Sequence, residues 1–449
     1  MRVFRISLIL ILIGAPLIMD QGTKSHASTL GLRKVFWVQT HDSVDSDHEW
    51  ASDIAADHVG NVYVTGSSAG AIVTVRYDKY GRKRWVRRFR RRPGGADSAE
   101  AVAVDKRGNI YVAGDSDGRR TSTDFVILKY GRSGRLRWKR FFNGRANGID
   151  FVQDLALDSK SNIYITGTSA GVNDPADFVT VKFDLFGKRQ WVRRQNGFQS
   201  GYDMVGALAL DQKGNIFVTG SSHGGSDDGH ITTVKYSSSG RILWVRRYGS
   251  ATSKIDIPTD ITTHGSNVFV AGMSYDPNTG FDYLTIKYDS EGRERWAARY
   301  NGPGNDVDYI NKVIVDRHGN VHVTGASTGY RTNLDYATIK YSPGGRVLWR
   351  RRYNSSVGGN DRSIALGLDA KGNVFVTGAS QARNVHFDVV TIRYSATGRR
   401  QWVNRYNGTG NKEDTPMAMA MGGAGKVLVA GYTFGADTGY DFLAMKFKP

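Results

Sequence analysis

The sequence predicts an all-β fold, an eight-bladed β-propeller with four antiparallel strands per blade, and three observations support this prediction. A segment of the type Gly-Asn-Val-Tyr-Val-Thr-Gly, first seen at Gly60 to Gly66, recurs eight times in the 449 residues. The successive copies are 48, 53, 53, 52, 53, 53 and 53 residues apart. Each copy contains short segments with apolar residues at alternate positions. A fixed period of this length indicates one supersecondary unit repeated in tandem.

One repeat illustrates the four predicted strands. The first covers residues 154 to 158, and a tight Gly-Asn turn leads to the second at 162 to 167. A longer polar loop precedes the third strand at 177 to 183, and a turn through Gly187 leads to the fourth at 191 to 194. Gly, Asn, Asp and Ser bound each segment, as is typical of strands joined by turns.

The two ends of the chain predict how the ring closes. The last repeat stops at its third strand, residues 441 to 447, and lacks the strand with Gly-x-x-x-Trp spacing. Residues 34 to 38, Lys-Val-Phe-Trp-Val, have the composition of that missing strand. We therefore expect the N-terminal strand to join the C-terminal blade, which closes the ring and removes a free sheet edge.

Eight of the nine tryptophans occupy one position in the repeat, which predicts a structural role. Seven of them follow a turn glycine by four residues, and a large aromatic residue at one fixed position is best explained by packing between neighbouring blades. This predicted ring consists of Trp37, Trp85, Trp138, Trp191, Trp244, Trp296, Trp349 and Trp402.

The N-terminus predicts export. Arg2 and Arg5 precede an apolar run at residues 6 to 19, and Ser25-His26-Ala27 fits a small-x-small cleavage site. We therefore assign residues 1–27 to a signal peptide and 28–449 to the propeller, with an uncleaved N-terminal anchor as the alternative. The expected location is secreted, periplasmic or on the cell surface, with no transmembrane span after signal removal. The chain has no cysteine, so it cannot rely on disulfides for stability.

The string DFVTVKFDLFGKRQWVRRQNG, followed by VGALALDQKGNIFVTG, resembles the SBBP-type bacterial β-propeller repeat. The resemblance covers residues 34 to 449, with Lys426 in place of the anchor asparagine and His264 and Gly422 in place of the aspartate that ends the first strand. It implies an exported or cell-surface propeller and transfers no catalytic residue. The Gly-x-x-x-Trp spacing also resembles the tryptophan-docking motif of eight-bladed quinoprotein propellers and of a scaffold subunit of outer-membrane protein assembly.

Recurrent charged residues have both a functional and a structural interpretation. An acidic residue before each first strand could form a cation-binding or polyol-binding mouth, but recurrence in every blade favours capping of backbone amides. A basic residue on each third strand, such as Lys182, predicts ion pairs across blade boundaries with aspartates such as Asp158. The acidic ring consists of Glu49, Asp97, Asp150, Asp203, Asp256, Asp308, Asp361 and Asp414.

Residues that differ between copies are the better candidates for a ligand site, because ligand sites are few in a protein and usually asymmetric. Oxygen-bearing residues alternate at residues 276 to 282 as in a calcium loop, and residues 226 to 230 form a second polar cluster. Loop aromatics could stack on sugars or peptide side chains. The predicted ligand-binding residues are Trp50, Asp227, Asp228, His230, Tyr275, Asp276, Asn278, Asp282 and Tyr330.

These observations favour a binding or scaffold protein of the cell envelope or extracellular space over an enzyme. No catalytic motif is present, no cofactor is predicted, and calcium is the open alternative. The expected partner is a protein or glycan ligand, and the basic fourth strands could hold an anionic surface. Export argues against a nucleic-acid partner. The alternative is a propeller enzyme with a channel-mouth site, either a metal-dependent hydrolase or lyase or a quinone-dependent dehydrogenase.

Overall fold

The computed structural model describes residues 34–42, 49–118, 121–172, 175–196, 201–223, 229–249, 255–383 and 386–448. The predicted signal peptide lies outside these residues. In the part of the chain that is described, no helix is long and apolar enough to cross a membrane.

Blades 1 to 4 follow one another along the chain. Blade 1 contains β2 (Glu49–Ala56), β3 (Val62–Ser68), β4 (Ala71–Tyr77) and β5 (Lys83–Phe89). Blade 2 contains β6 (Asp97–Val104), β7 (Ile110–Asp117), β8 (Thr123–Tyr130) and β9 (Leu136–Phe142). Blade 3 contains β10 (Asp150–Leu157), β11 (Ile163–Ser169), β12 (Asp177–Phe183) and β13 (Arg189–Gln195). Blade 4 contains β14 (Met204–Leu210), β15 (Ile216–His223), β16 (Gly229–Tyr236) and β17 (Ile242–Tyr248).

Blades 5 to 8 complete the ring. Blade 5 contains β18 (Asp256–His264), β19 (Asn267–Asp276), β20 (Gly280–Tyr288) and β21 (Glu294–Tyr300). Blade 6 contains β22 (Asp308–Val315), β23 (Val321–Gly329), β24 (Thr332–Tyr341) and β25 (Val347–Tyr353). Blade 7 contains β26 (Asp361–Leu368), β27 (Val374–Gln381), β28 (Phe387–Tyr394) and β29 (Arg400–Tyr406). Blade 8 contains β30 (Asp414–Met421), a 3-10 helix (Gly423–Gly425), β31 (Val427–Gly435), β32 (Gly439–Phe447) and β1 (Val35–His41).

The predicted architecture and its closure are confirmed. Every blade is a four-stranded antiparallel sheet, and β1 is the outer strand of blade 8 beside β32. Val38 pairs with Met445, and the Lys448 amide donates to the Lys34 carbonyl at 2.7 Å. The two chain ends therefore stabilise each other within one sheet.

The recurrent Gly-Asn anchor is explained by the turn between the first and second strands. In blade 1, Asp57 Oδ1 accepts from the Asn61 amide at 2.8 Å, and Asp57 Oδ2 accepts from Asn61 Nδ2 at 2.7 Å. Tyr63 adds a third donor, its hydroxyl, at 3.1 Å. The carboxylate thus accepts the hydrogen bonds of the donors in the turn, and the asparagine that provides two of them follows the aspartate by four residues.

The second glycine of the anchor is needed because the first strand comes very close to it. Each first strand carries a β-bulge opposite this glycine, as between Val152 and Asp154 in blade 3. A Cβ placed on Gly167 would lie 2.0 Å from the Phe151 carbonyl oxygen. No side chain fits at that distance, so glycine is required for the bulge to form.

Tryptophans of the predicted ring pack against the next blade. The Trp85 ring lies against Gly134 of the next blade, where a Cβ would be 2.8 Å from the ring, and it contacts Tyr130 of that blade. The indole nitrogen also donates to the Arg132 carbonyl at 3.2 Å. Trp402 of blade 7 makes the same contact with blade 8, with ring centroids 6.0 Å apart, because Phe447 ends the third strand there as Tyr130 does in blade 2.

Arginines two residues after the tryptophan join neighbouring blades, a role that the sequence analysis did not identify. Arg193 stacks over the Trp191 ring, and its Nε donates to the Gly240 carbonyl of the next blade at 2.5 Å. Part of the positive charge on the outer strands therefore holds the ring together. The same bond is made by Arg87, Arg140, Arg246 and Arg351.

The prediction of ion pairs across blade boundaries is wrong. Lys182 Nζ donates to the Ser238 carbonyl of the next blade at 2.8 Å, the same oxygen that accepts from the Trp191 indole at 3.2 Å. Where a third-strand cation pairs with a first-strand carboxylate, as Lys340 does with Asp316 at 3.3 Å, both belong to one blade. The first-strand carboxylates already accept hydrogen bonds within their own turns. The third-strand lysine therefore donates to a backbone carbonyl oxygen of the next blade.

Candidate functional site

The two faces of the ring differ in how uniform their connections are. We call the face with the second-to-third-strand hairpins the top face, because antiparallel pairing puts these hairpins and the blade-to-blade connections on one side. All third-to-fourth-strand turns on the bottom face span five residues. The top-face hairpins range from two residues in blades 1 and 6 to seven in blade 3. The variation between copies is therefore concentrated on the top face.

The acidic ring lies at the top ends of the innermost strands and has a structural role. These eight side chains are at most 2% exposed. Asp308 Oδ2 accepts from the Gly302 amide at 2.5 Å and its Oδ1 from the Thr328 amide at 3.0 Å. Asp414 likewise accepts from the Gly408 amide at 2.6 Å. Capping of backbone amides, the interpretation that recurrence favoured, is confirmed for these blades.

Burial shifts the acidity of several members of this ring. It raises the pKa of Asp308 to about 6 and that of Asp414 to about 7, in spite of the hydrogen bonds that favour the charged forms. A nearby carboxylate of the preceding blade adds to both shifts, Asp282 for the first and Asp388 for the second.

The predicted calcium loop of blade 5 is a tight hairpin. Tyr275 and Asp276 end β19 and Asp282 belongs to β20, so only residues 277 to 279 lie outside the strands. Asp276 Oδ1 accepts from the Asn278 amide at 2.9 Å, which is a local turn. Asp282 pairs with Arg299 at 3.1 Å, and the Tyr275 ring packs edge-on against Phe281. The expected loop is therefore shorter because β19 and β20 extend into it.

The other predicted ligand residues lie on separate blades. Tyr330 stands at the two-residue turn of blade 6 and is 69% exposed, and Trp50 begins the inner strand of blade 1 and is 41% exposed. His230 lies at the start of β16 in blade 4, and its Nδ1 is buried without a hydrogen-bond partner. Asp227 and Asp228 lie outside the described residues. Only the blade 5 residues are brought together, with Tyr330 on the adjacent blade.

A second group of charged residues faces the central channel. Asp53, Asp154, Asp260 and Lys312 occupy the same position, directly after the bulge of the innermost strand, in blades 1, 3, 5 and 6. Lys312 Nζ lies 3.2 Å from Asp260 Oδ1 of the neighbouring blade. The Lys312 side chain is 49% accessible although protein surrounds it on all sides, which places it in a channel that water can reach.

Charges interact across this channel. The carboxylate of Asp260 raises the pKa of Lys312 most, and Asp154 and Asp53 on more distant blades add to it. Burial raises the pKa of Asp53 and Asp154 to about 6. Both carboxylates also accept from a backbone amide of the next blade, Val102 at 2.8 Å and Leu208 at 3.0 Å. They therefore fix adjacent blades while presenting charge to the channel.

The sequence analysis did not identify this channel group, although a signal was present. Each member follows an acidic-ring residue by four positions, and alanine stands there in the other blades. Charge in half of the copies is the kind of asymmetry that points to a site. Among the described residues, no three His, Asp or Glu side chains are close enough to hold a metal ion.

Comparison with known proteins agrees with this architecture. The model of a β-propeller repeat family, SBBP, matches residues 46–72, 85–119, 143–174, 190–226 and 295–331. An uncharacterized WD repeat-containing protein of Acanthamoeba polyphaga mimivirus is 24% identical in an alignment of length 324 that covers 62% of this chain and 22% of that protein. The regulatory protein FlaEY of Caulobacter vibrioides is 25% identical over 175 residues, 33% of this chain and 18% of that protein. The chain thus spans about a fifth of the length of these curated relatives.

Two solved structures share the fold. A europium-containing methanol dehydrogenase superimposes with a TM-score of 0.55 at 11% identity, covering 92% of this chain and 93% of that one. The polysaccharide lyase Uly1 superimposes with a TM-score of 0.52 at 12% identity, covering 92% and 99%. At this identity the likeness concerns the fold alone.

Proposed function

We propose that this chain, which carries SBBP-type β-propeller repeats, is an exported binding or scaffold protein of the cell envelope or extracellular space. Its ligand is a protein or a glycan that binds the top face. The observation that carries this proposal is the contrast between the third-to-fourth-strand turns of the bottom face, all of five residues, and the top-face hairpins of two to seven residues. Connections of equal length are sufficient to build the ring. Hairpins whose length differs from blade to blade on the top face are therefore typical of a recognition surface.

Exposed aromatic side chains give that surface its chemistry. Tyr330 and Trp50 are 69% and 41% exposed on the top face. Aromatic side chains of this kind stack on sugar rings and anchor protein interfaces. The basic fourth strands supply a second, salt-sensitive attraction for anionic envelope components.

A capture experiment tests the proposal. The full chain is expressed with residues 1–27 present, and N-terminal sequencing of the exported protein is expected to begin at Ser28. The purified protein is then presented to a glycan array and to cell-envelope extracts at about 0.05 M and about 0.5 M salt. Ligands that are retained at both salt concentrations bind by contacts other than simple charge attraction.

Matched variants locate the binding surface. We expect the double variant Trp50→Ala/Tyr330→Ala to lose the captured ligand. The control is Tyr80→Ala/Phe186→Ala, which removes two exposed aromatics from bottom-face turns and should retain it. Equal capture by both variants, or cytoplasmic retention of the full chain, would contradict the proposal.

A second candidate function is an enzyme whose site lies in the channel. The observation that favours it is the convergence of Asp53, Asp154, Asp260 and Lys312 from four blades. Two carboxyl groups with pKa values of about 6 could exchange protons near neutral pH. Metal content, quinone absorbance and hydrolase or lyase assays on the purified protein, repeated with Asp154→Asn, would separate this candidate from a binding protein.

A further inference from the structure

A recurrent arginine in the fourth strands is replaced in blades 2 and 8. Three residues after the ring tryptophan, this arginine pairs with the aspartate that begins the third strand of the same blade. In blade 7 it is Arg405, which pairs with Asp388 at 2.7 Å. In blade 8 the same position is Thr40, because Thr40 faces Leu443 in the register in which Arg405 faces Val390. The other pairs are Arg194 with Asp177, Arg299 with Asp282 and Arg352 with Asp335.

Blade 6 shows what surrounds this guanidinium. Arg352 donates to Asp335 Oδ2 at 2.8 Å, to the Ser327 carbonyl at 2.7 Å and to Ser327 Oγ at 2.5 Å. It also donates to the hydroxyl of Tyr300, from the fourth strand of the preceding blade, at 3.0 Å. We call this set of acceptors the guanidinium cradle: a third-strand aspartate, a second-strand hydroxyl residue and a tyrosine from the preceding blade.

Blade 8 retains the cradle without its arginine. Asp441, Thr433 and Tyr406 occupy the positions of Asp335, Ser327 and Tyr300. These three residues and Thr40 line one cavity of about 400 Å³, together with Thr409, Gly435, Ala436, Asp437 and Thr438. Where an arginine side chain lies in the sister blades, blade 8 has a space that opens to solvent beside Thr40.

The carboxylate in this cavity has no cation partner in the part of the chain that the structure describes. Asp441 is 5% exposed and its Oδ2 accepts from Thr438 Oγ1 at 2.8 Å. Among the described residues its buried Oδ1 accepts no hydrogen bond, as is also true of the Oδ1 atoms of Asp335 and Asp388 in blades that have the arginine. No cation among the described residues contributes to its pKa. Burial and the charge of Asp42 raise the pKa of Asp441.

Blade 2 shows that this aspartate is otherwise matched by a cation. Its fourth strand has Phe141 in place of the arginine. Arg91 from the connection after blade 1 lies over the Phe141 ring at 4.1 Å and pairs with Asp124 at 2.5 Å. In blade 2 the arginine missing from its own fourth strand is thus replaced by one from the preceding blade. Among the described residues, blade 7 supplies no such arginine to blade 8.

We propose that the blade 8 cavity binds the guanidinium group of an arginine side chain from a protein ligand, in the position that Arg405 fills in blade 7. A guanidinium suits the cradle because its planar fork donates to a carboxylate and to neighbouring oxygens at the same time. An ammonium group has the charge but not the fork. This inference deepens the proposed binding function by naming the chemical group that one of its sites recognises.

Calorimetry with small probes on the full chain tests the proposal. We expect L-arginine amide to bind, and citrulline amide, which is neutral and of similar shape, to bind at least about tenfold more weakly. Lysine amide should bind more weakly than arginine amide. Absence of arginine amide binding at millimolar concentration, or equal affinity for citrulline amide, overturns the proposal.

Two variants show whether the cradle is the site. Thr40→Arg should place a guanidinium of the chain itself in the cavity, abolish arginine amide binding and raise the melting temperature. Thr40→Ser is the matched control and should keep both properties of the wild type. Retained binding in Thr40→Arg, with a folded protein shown by its melting transition, contradicts the proposal.

The same variants separate this inference from the proposed function. If Thr40→Arg still captures the envelope ligand that Trp50→Ala/Tyr330→Ala loses, the binding function stands and the arginine site does not contribute to it. If neither the wild type nor any variant captures a ligand while arginine amide still binds at the cradle, the proposed function fails and the site remains.

Discussion

Blades 7 and 8 share the ring tryptophan, the acidic-ring residue and the third-strand aspartate, and they differ at the fourth-strand position that faces this aspartate. In blade 7, Arg405 lies 2.7 Å from Asp388 and also donates to Ser380 Oγ at 2.5 Å. In blade 8, Thr40 leaves Asp441 facing a cavity of about 400 Å³. The comparison teaches that the recurrent residues hold the ring together, and that a single departure in one copy exposes a charged group that the others neutralise.

The largest expected effect comes from a position that both blades share. Gly378 and Gly431 each lie under the first-strand bulge, and a Cβ would be 2.0 Å from the carbonyl oxygen of Arg362 or Thr415. We expect Gly378→Ala and Gly431→Ala each to lower the free energy of unfolding by about 3 kcal/mol or more, because the clash involves backbone. Denaturant titration measures this change.

Gly423→Ala is the matched control, since a Cβ at Gly423 would contact nothing within 4 Å. A change below about 0.5 kcal/mol is expected there. If the alanine variants of the two blades differed strongly from each other, the blades would not be equivalent at this position.

The second prediction turns blade 7 into a copy of blade 8. Arg405→Thr leaves Asp388, which is 4% exposed, without its cation. We expect a loss of about 2 kcal/mol in unfolding free energy, smaller than for a fully buried pair because the arginine is partly exposed. The exposed Arg399 on the preceding turn is the control, and Arg399→Thr should change stability little. A neutral result for Arg405→Thr would show that the ion pair contributes nothing to blade 7.

The third prediction concerns the pH dependence of blade 8. Burial raises the pKa of Asp414 to about 7, so the folded state holds this proton over a pH range in which the unfolded chain has lost it. The folded state is therefore destabilised as pH rises from about 4 to about 7. Relative to Asp414→Asn, the wild type should lose stability progressively over this range, by no more than about 4 kcal/mol, and change little above it.

Thermal melts at matched pH values measure this difference. Asn407→Ala, in the same connection but without a titrating group, is the control, and its difference from wild type should not depend on pH. A wild type that gains stability relative to Asp414→Asn between pH 4 and 7 would contradict the assigned shift.

Most of the fold could be predicted from the sequence, because the same pattern of turn and strand residues occurs in eight copies. The period, the tryptophans and the two incomplete ends are sufficient to predict the ring and its closure. The cation positions were misjudged because Lys182 can reach either a carboxylate or a carbonyl, and only the geometry of neighbouring blades decides between them. The blade 5 hairpin was predicted too long because strand pairing continues through Tyr275 and Asp276.

The candidate sites depend on relations that the sequence does not show. The charges of Asp53 and Lys312 interact across the channel, although they lie far apart in the chain. Thr40 becomes comparable with Arg405 only when β1 is placed beside β32, because these strands come from opposite ends of the sequence. Both sites are departures from the repeat, and their meaning appears only after the recurrent contacts have been assigned.

A crystal structure of the full chain with L-arginine amide tests the central claim most directly. The claim is that blade 8 binds the guanidinium group of a ligand where other blades have a guanidinium group of their own arginine. It predicts a planar guanidinium between the Asp441 carboxylate, Thr433 and Tyr406. A probe bound elsewhere, or a side chain of this protein in that position, would contradict it.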